Sequence, residues 1–136
     1  MSALSLPTPA AATAFVTRLV ASPAERAAYH RLRHAIFCDE QGVFSGSDRD
    51  EWDAVAHPIV CLSMPEARVV GVVRIWEEAP GQWWGGRLGV HADFRTVGNI
   101  GRHLVQTAVS TANAWGATRF RATVQKPNVV FFRRLH

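Results

Sequence analysis

Of the 15 basic residues in this 136-residue sequence only Lys126 is a lysine, and there are one tyrosine, two cysteines and two methionines. Long apolar runs are also missing. The longest largely apolar stretch, Ala54 to Met64, is broken by His57 and Pro58 and falls short of the roughly 20 residues that cross a bilayer; no transmembrane helix and no membrane partner are expected. Met1 to Ala14 has no Lys or Arg ahead of its weak apolar stretch and carries Pro7 and Pro9, which speaks against a secretory leader and for a cytoplasmic location. Cys38 and Cys61 lack C-x-x-C spacing and read as buried thiols, not a bridge. Asp48, Asp50 and Asp53 imitate a calcium loop only superficially, because its sixth position, a glycine in such loops, is Asp53. Neither that segment nor any zinc-ligand cluster predicts a metal. No G-x-G-x-x-G follows the first strand and no G-x-x-x-x-G-K-[ST] occurs, so both common nucleotide-binding fingerprints are excluded.

What is present suits one folded domain over residues 1–136. Hydrophobic residues make up 48% and charged residues 19%, enough apolar surface to offset the entropy of ordering a single core. The formal charge of +4 hides an asymmetry. Asp39 to Asp53 holds six acids against Arg49, whereas Arg87 to the end holds seven arginines and Lys126 against Asp93. One segment favours a cation and the other a polyanion, unless each is merely a solvated face.

Strands and helices alternate. Ala14 to Ala21 reads as a strand. Ser22-Pro23-Ala24-Glu25 then supplies an N-cap serine, a proline at the first helical position and a glutamate at the third, predicting a helix from Ala24 to about Asp39 that stops near Gly42. The acidic segment reads as a loop with a short helix near Glu51 to Ala56, and His57 as a residue that fixes it. Pro58 to Met64 and Arg68 to Trp76 predict an antiparallel hairpin, with Val70 and Val72 on one face and Val69, Val73 and Ile75 on the other. A strand apolar on both faces needs helices on both. Gln82 to Val90 is a strand weakened by three glycines, the signature of a bulge or a close backbone approach. Arg102 to Trp115 carries a helical stripe ending at Gly116, Thr118 to Gln125 alternates as a strand, and Pro127 opens a last helix.

The turn T-V-G-N-I-G between a strand and a helix is a phosphate cradle in physical terms, since backbone N–H groups converge at a helix N-terminus. An anion is expected at Val97 to Arg102; the structural alternative is a turn that needs positive φ at Gly98. Three blocks here resemble the GNAT (Gcn5-related) N-acetyltransferases: L-R-H-A-I-F-C-D-E-Q-G with acids and A-x-H (Leu32 to His57), L-G-V-H-A-D-F-R (Leu88 to Arg95), and I-G-R-H-L-V onward to Gly116. V-Q-K-P-N-V-V-F-F-R-R-L (Val124 to Leu135) extends the likeness over most of the chain. The family pattern R-x-x-G-x-G/A is met at Arg95 and Gly98, but Ile100 takes the sixth position, and the helix spacing fits only with one extra residue in the turn.

The resemblance implies an α/β fold with a mixed, mostly antiparallel central sheet flanked by helices on both faces. It further implies acetyl-CoA as co-substrate and direct transfer to a primary amine. The pyrophosphate would lie on the amides of Val97, Gly98, Asn99, Ile100, Gly101 and Arg102, with Arg95 and Thr96 also among the co-substrate's contacts, the pantetheine along Leu88, Gly89 and Val90 with Asn128 beside it, and the thioester oxygen on an amide near Val90. Relatives often carry an acid where Trp83, Trp84 and Arg87 stand, and the tyrosine that commonly serves as general acid is replaced by Phe132. Acid–base help is then assigned to Glu78, at a strand end, or His91, just after the pantetheine strand; Glu77 points to the opposite face. Each has a bland alternative as a surface residue. Trp76, Trp83 and Trp84 wall an acceptor pocket or pack the core. The acidic segment, with Glu40, Asp50 and Asp53 as contacts, is expected to hold a small cationic amine, because the family's acceptor site lies in that region. Competing readings are a noncatalytic acyl-CoA-binding or sensor domain and, with less support, nucleic-acid binding through the arginine-rich half. Relatives continue past Leu135 into one or two further strands, so the expectation is that those strands lie outside this chain or that a partner, as in a homodimer, covers the edge.

Overall fold

Ser22 starts the first helix as its sequence predicts: its Oγ accepts the Glu25 N–H at 3.1 Å, and Pro23 takes the first helical position. The computed structural model describes residues 14–123. In chain order these form strand β1 (Ala14–Leu19), helix α1 (Pro23–His34) continued by a π-helical turn (Ala35–Glu40), a 3-10 turn (Glu51–Ala54), and strands β2 (His57–Met64), β3 (Arg68–Ala79) and β4 (Gln82–Val90). A 3-10 turn (Ala92–Phe94), helix α2 (Ile100–Ala114) and strand β5 (Arg119–Ala122) follow. The sheet order is β1-β2-β3-β4-β5, antiparallel throughout except for the parallel β4–β5 pair. Val124, Gln125, the helix expected from Pro127, Asn128 and Phe132 lie outside the described residues.

The two helices cover opposite faces, as a β3 apolar on both sides requires. On one face Tyr29, Leu32, Ile36 and Phe37 of α1 and its π-turn pack on Val60, Leu62 and Val72. On the other, Ile100, Leu104, Val105, Ala108 and Ala112 of α2 pack on Ile59, Cys61, Val70, Val73 and Ile75. The face assignment within β3 is corrected here. Cys61 pairs with Gly71 and Leu62 with Val69, so Val70 is an extra residue, and this bulge turns it to the α2 face with Val73 and Ile75, leaving Val72 on the α1 face.

A second bulge shapes β4. Val72 pairs with Gly89 but Arg74 with Gly86, so Arg87 and Leu88 together oppose Val73. The irregularity expected from the glycines is there, yet the residue with positive φ is Arg87, at 55°. Gly89 instead serves a close approach: a Cβ there would lie 2.8 Å from Ile36 Cδ1, so the π-turn rests directly on this part of β4. That turn also corrects the expected helix, which is α-helical to His34 only and widens over Ala35–Glu40. Cys61 is buried, Cys38 is half-buried, and both are free thiols.

Candidate active site

Beyond Val90 the chain makes the turn expected to hold an anion. Arg95 ties it down: its Nε donates to the Val90 carbonyl at 3.0 Å, and its terminal nitrogens grip both oxygens of Glu40 at the end of the π-turn. The guanidinium holds the Glu40 carboxyl below its ordinary pKa. Gly98 (φ 68°) and the N-cap Asn99 (φ 48°) then swing the chain into α2. Positive φ at Gly98 agrees with the structural reading of the turn, and a Cβ there would lie 2.5 Å from the Phe15 ring. The cradle is nonetheless fit for an anion. Asn99 makes no side-chain cap bond, so the first-turn amides of a 15-residue helix, at Ile100, Gly101 and Arg102, lack a side-chain cap at the positive end of the helix dipole. Thr96, Val97, Gly98 and Asn99 are exposed around it.

On the α1 face the β4 bulge is bolted down by charge. Arg33 Nε reaches Asp48 Oδ2 at 2.6 Å, and its Nη1 reaches Asp53 Oδ1 at 2.6 Å and donates to the Tyr29 hydroxyl at 3.1 Å. Arg74 binds both oxygens of Asp50, at 2.6 and 2.7 Å, and Asp53 Oδ1 at 3.0 Å. Arg87 donates from Nε and Nη2 to the Asp48 carbonyl at 3.0 and 2.5 Å, beneath the Phe44 ring. Three buried arginines thus meet three aspartates of the acidic segment.

The charge states follow from this packing. Burial pulls the Arg33 pKa down, but its bonds to Asp53 and Asp48 raise it overall. Burial pushes the Asp53 carboxyl up, and the bonds from Arg33 and the Asp50 N–H more than reverse that. Arg74 holds Asp50 below the ordinary carboxylate range. Arg87 is pushed down, first by burial and then by Arg74 and Arg33. Glu40, Asp50 and Asp53, expected as contacts of a cationic amine, are each paired with arginine: Glu40 with Arg95, Asp53 with Arg33 and Arg74, and Asp50, one third exposed, with Arg74.

Beside Asp50 stands a column of indoles. Trp76 stacks between Trp52, at 5.4 Å, and Trp84, at 6.4 Å, with the Arg121 guanidinium 5.6 Å from the Trp84 ring centre. Trp83 is not part of it. Strand alternation sends Trp83 into the α2-side core, where His57 lies 6.0 Å from it and 4.8 Å from Trp115; His57 therefore packs among aromatics on the α2 side and does not serve as the anchor of the acidic loop. Glu78 is exposed and accepts the Trp84 Nε1–H at 3.2 Å. His91 lies past the other end of β4, its Nδ1 accepting the Asp93 N–H at 3.1 Å. At about 3.3 Å per residue the two are some 20 Å or more apart along the strand, so they do not serve one reacting centre together. Arg33, Arg74, Arg87 and Trp52 escaped sequence reasoning. The available signal was an arginine inside an otherwise apolar strand, as at Arg74, which requires a buried acid.

The sequence profile described as the Acetyltransferase (GNAT) family matches residues 15–136. No curated protein matches the chain. Among solved structures, an assigned N-acetyltransferase of Lactobacillus plantarum is 26% identical with a TM-score of 0.77, over 90% of this chain and 83% of that one. Escherichia coli ElaA is 18% identical with a TM-score of 0.73, over 90% and 85%. An aminoglycoside acetyltransferase from an uncultured soil metagenomic sample, in complex with sisomicin, is 16% identical with a TM-score of 0.66, over 89% and 86%. With the cradle between β4 and α2, the bulged β4 and the parallel β4–β5 pair in place, this chain belongs to the GNAT acetyltransferase family.

Proposed function

We propose that the protein transfers the acetyl group of acetyl-CoA to a primary amine of a small cationic acceptor by direct attack. The observation that carries the reading is the β4–α2 turn, where positive φ at Gly98 and Asn99 leads into a long helix whose first amides have no side-chain cap. Those amides and Arg102 suit a pyrophosphate. The Leu88–Val90 backbone positions the thioester, and an amide near Val90 stabilises the oxyanion that develops as the amine attacks. The amine loses its proton to water and the departing thiolate takes one from water, because Glu78 lies about as far along the sheet from Val90, which pairs with Gly71, as it does from His91. His91 is too far along the strand from Glu78 to act with it.

The acceptor side is assigned to the α1 face beside the Trp52–Trp76–Trp84 column. Glu78, at the Trp84 end of the column, supplies negative charge to an ammonium group, and indole faces attract cations. One structural neighbour bears an aminoglycoside, a polyamine, in a fold of this kind.

The test is calorimetry with acetyl-CoA followed by thiol release across an amine panel. Saturable binding with turnover on small amines supports the reading. Absence of acetyl-CoA binding at millimolar concentration overturns it, because a native-state ligand must also raise Tm. The missing β4 carboxylate favours one rival, a noncatalytic acyl-CoA-binding domain, which tight binding without turnover on any amine would establish.

A further inference from the structure

A groove of about 470 Å³ runs between α1 and the turn that joins β2 to β3, remote from the α2 face. Ala28, Leu32 and Val69 give it apolar lining, and Arg31, Arg68 and His91 give it charge and donors. Glu25, the one acid among its described lining residues, is fully engaged: Arg18 binds both its oxygens and the Ala21 N–H binds one of them. Glu40, whose charge also reaches His91, is held by Arg95. Neither Arg31 nor Arg68 has a carboxylate partner among the described residues; Arg68 meets only His91 and the face of Phe94, at 5.5 Å.

The hydrogen bonding at His91 is incomplete in a particular way. Its Nδ1 accepts the Asp93 N–H as the cap of the Ala92–Phe94 turn, so in the neutral ring the proton sits on Nε2. Nε2 lies 3.1 Å from Arg68 Nη2, and a guanidinium has no acceptor. Two N–H donors therefore converge on the groove with no acceptor between them.

We propose that this groove binds a phosphomonoester, distinct from coenzyme A, with its phosphate oxygens accepting from Arg68 and His91, Arg31 supplying the balancing charge and its organic part lying against Ala28, Leu32 and Val69. Two guanidinium groups and an imidazole N–H suit a dianion, and bidentate arginine contacts suit phosphate geometry. The lining exceeds what a bare phosphate fills. The inference is independent of the acetyl-transfer reading.

The probe is inorganic phosphate, titrated at constant ionic strength into the full chain while the His91 imidazole resonances are followed by NMR. The expected result is a saturable shift of His91 that chloride does not reproduce. Arg31→Gln and Arg68→Gln, both exposed, should each weaken phosphate binding by about tenfold with Tm unchanged, while the control Arg119→Gln leaves binding intact. No saturable shift, or equal binding by the Arg31 and Arg68 variants, overturns the proposal. Displacement of phosphate by coenzyme A, and not by phosphomonoesters alone, would assign the groove to the co-substrate's own phosphates and overturn a separate site.

Discussion

Arg74 in β3 and Asp50 at the head of the Glu51–Ala54 turn meet in a two-pronged ion pair, Nη1 to Oδ1 at 2.6 Å and Nη2 to Oδ2 at 2.7 Å. The arginine is buried at 2% exposure while the aspartate remains one third exposed. Asp50 also caps the turn by accepting the Trp52 N–H at 3.0 Å. The pair therefore fixes a solvent-facing loop to the centre of the sheet, next to the β4 bulge that Arg87 shares with it.

Removing either acid leaves buried arginine charge behind, and the two losses should differ. Asp53, 15% exposed, serves Arg33 and Arg74 together and accepts the Asp50 N–H. Asp53→Asn should cost about 3 kcal/mol, as for a broken buried pair. Asp50→Asn should cost about 1–2 kcal/mol, discounted for its exposure. Urea unfolding that ranks Asp50→Asn as the more damaging variant would contradict this account of the network.

Gly98 is the next pressure point. Its φ of 68° and the Phe15 ring, which would lie 2.5 Å from an added Cβ, act together, so even Gly98→Ala should destabilise by about 1–3 kcal/mol. Loss of acetyl-CoA binding in such a variant would then mix folding with recognition. A Phe15→Ala/Gly98→Ala double variant should lose less than the two single losses added, because the ring contact is counted in both. Strict additivity in thermal melts would show that only the backbone angle matters.

How far the fold and site were legible depends on what each signal needs. Ser22-Pro23-Ala24-Glu25 marks a helix start through bonds made within four residues, and β4 keeps its expected bounds, Gln82–Val90, because alternation and turn chemistry are local. Bulges are not local. The extra residue at Val70 exists only relative to β2, so a strict two-residue period put Val70 and Val72 on one face. The left-handed residue in β4 is Arg87, held by Asp48 from 39 positions away, and no glycine marks it. Counting charge found an acidic segment but not its partners, since Arg74 sits in a stretch that reads as apolar and Arg33 is one of several charged residues in a polar helix. The positions assigned to the pyrophosphate run from exposed turn residues, Arg95 to Asn99, into the first turn of α2, where Ile100 is buried, whereas Glu78 and His91 fall at opposite ends of a strand.

Acid stability gives a separate check on the start of α1. Arg18 donates to both oxygens of Glu25 and the Ala21 N–H adds a bond, which brings the carboxyl from 4.5 down to about 2. Because the folded pKa lies below the unfolded one, the unfolded chain binds more protons between these values. The stabilisation is complete above about pH 4.5 and is lost as pH falls towards 2. Glu25→Gln should therefore be less stable than the parent at neutral pH, with the gap closing over that window. A gap that stays constant down to pH 2.5 would mean that the pair contributes through packing and not through charge.

The acceptor assignment turns on Trp52, because the acids near it also hold the fold and their removal reads on stability. Trp52 is half-buried, lies outside both core clusters and stacks on Trp76 at 5.4 Å. If its other face receives the amine, Trp52→Ala should raise the amine KM by about tenfold, equivalent to about 1.4 kcal/mol of lost cation–π and apolar contact. Acetyl-CoA affinity should stay within about twofold, since the cradle lies beyond the far end of β4. Trp52→Phe, which keeps a π face, should recover most of the loss, an effect that simple loosening of the loop would not produce. Steady-state kinetics on any amine the enzyme turns over decide the matter: an unchanged amine KM with a lowered Tm makes Trp52 a strut for the Asp50 turn and moves the acceptor elsewhere.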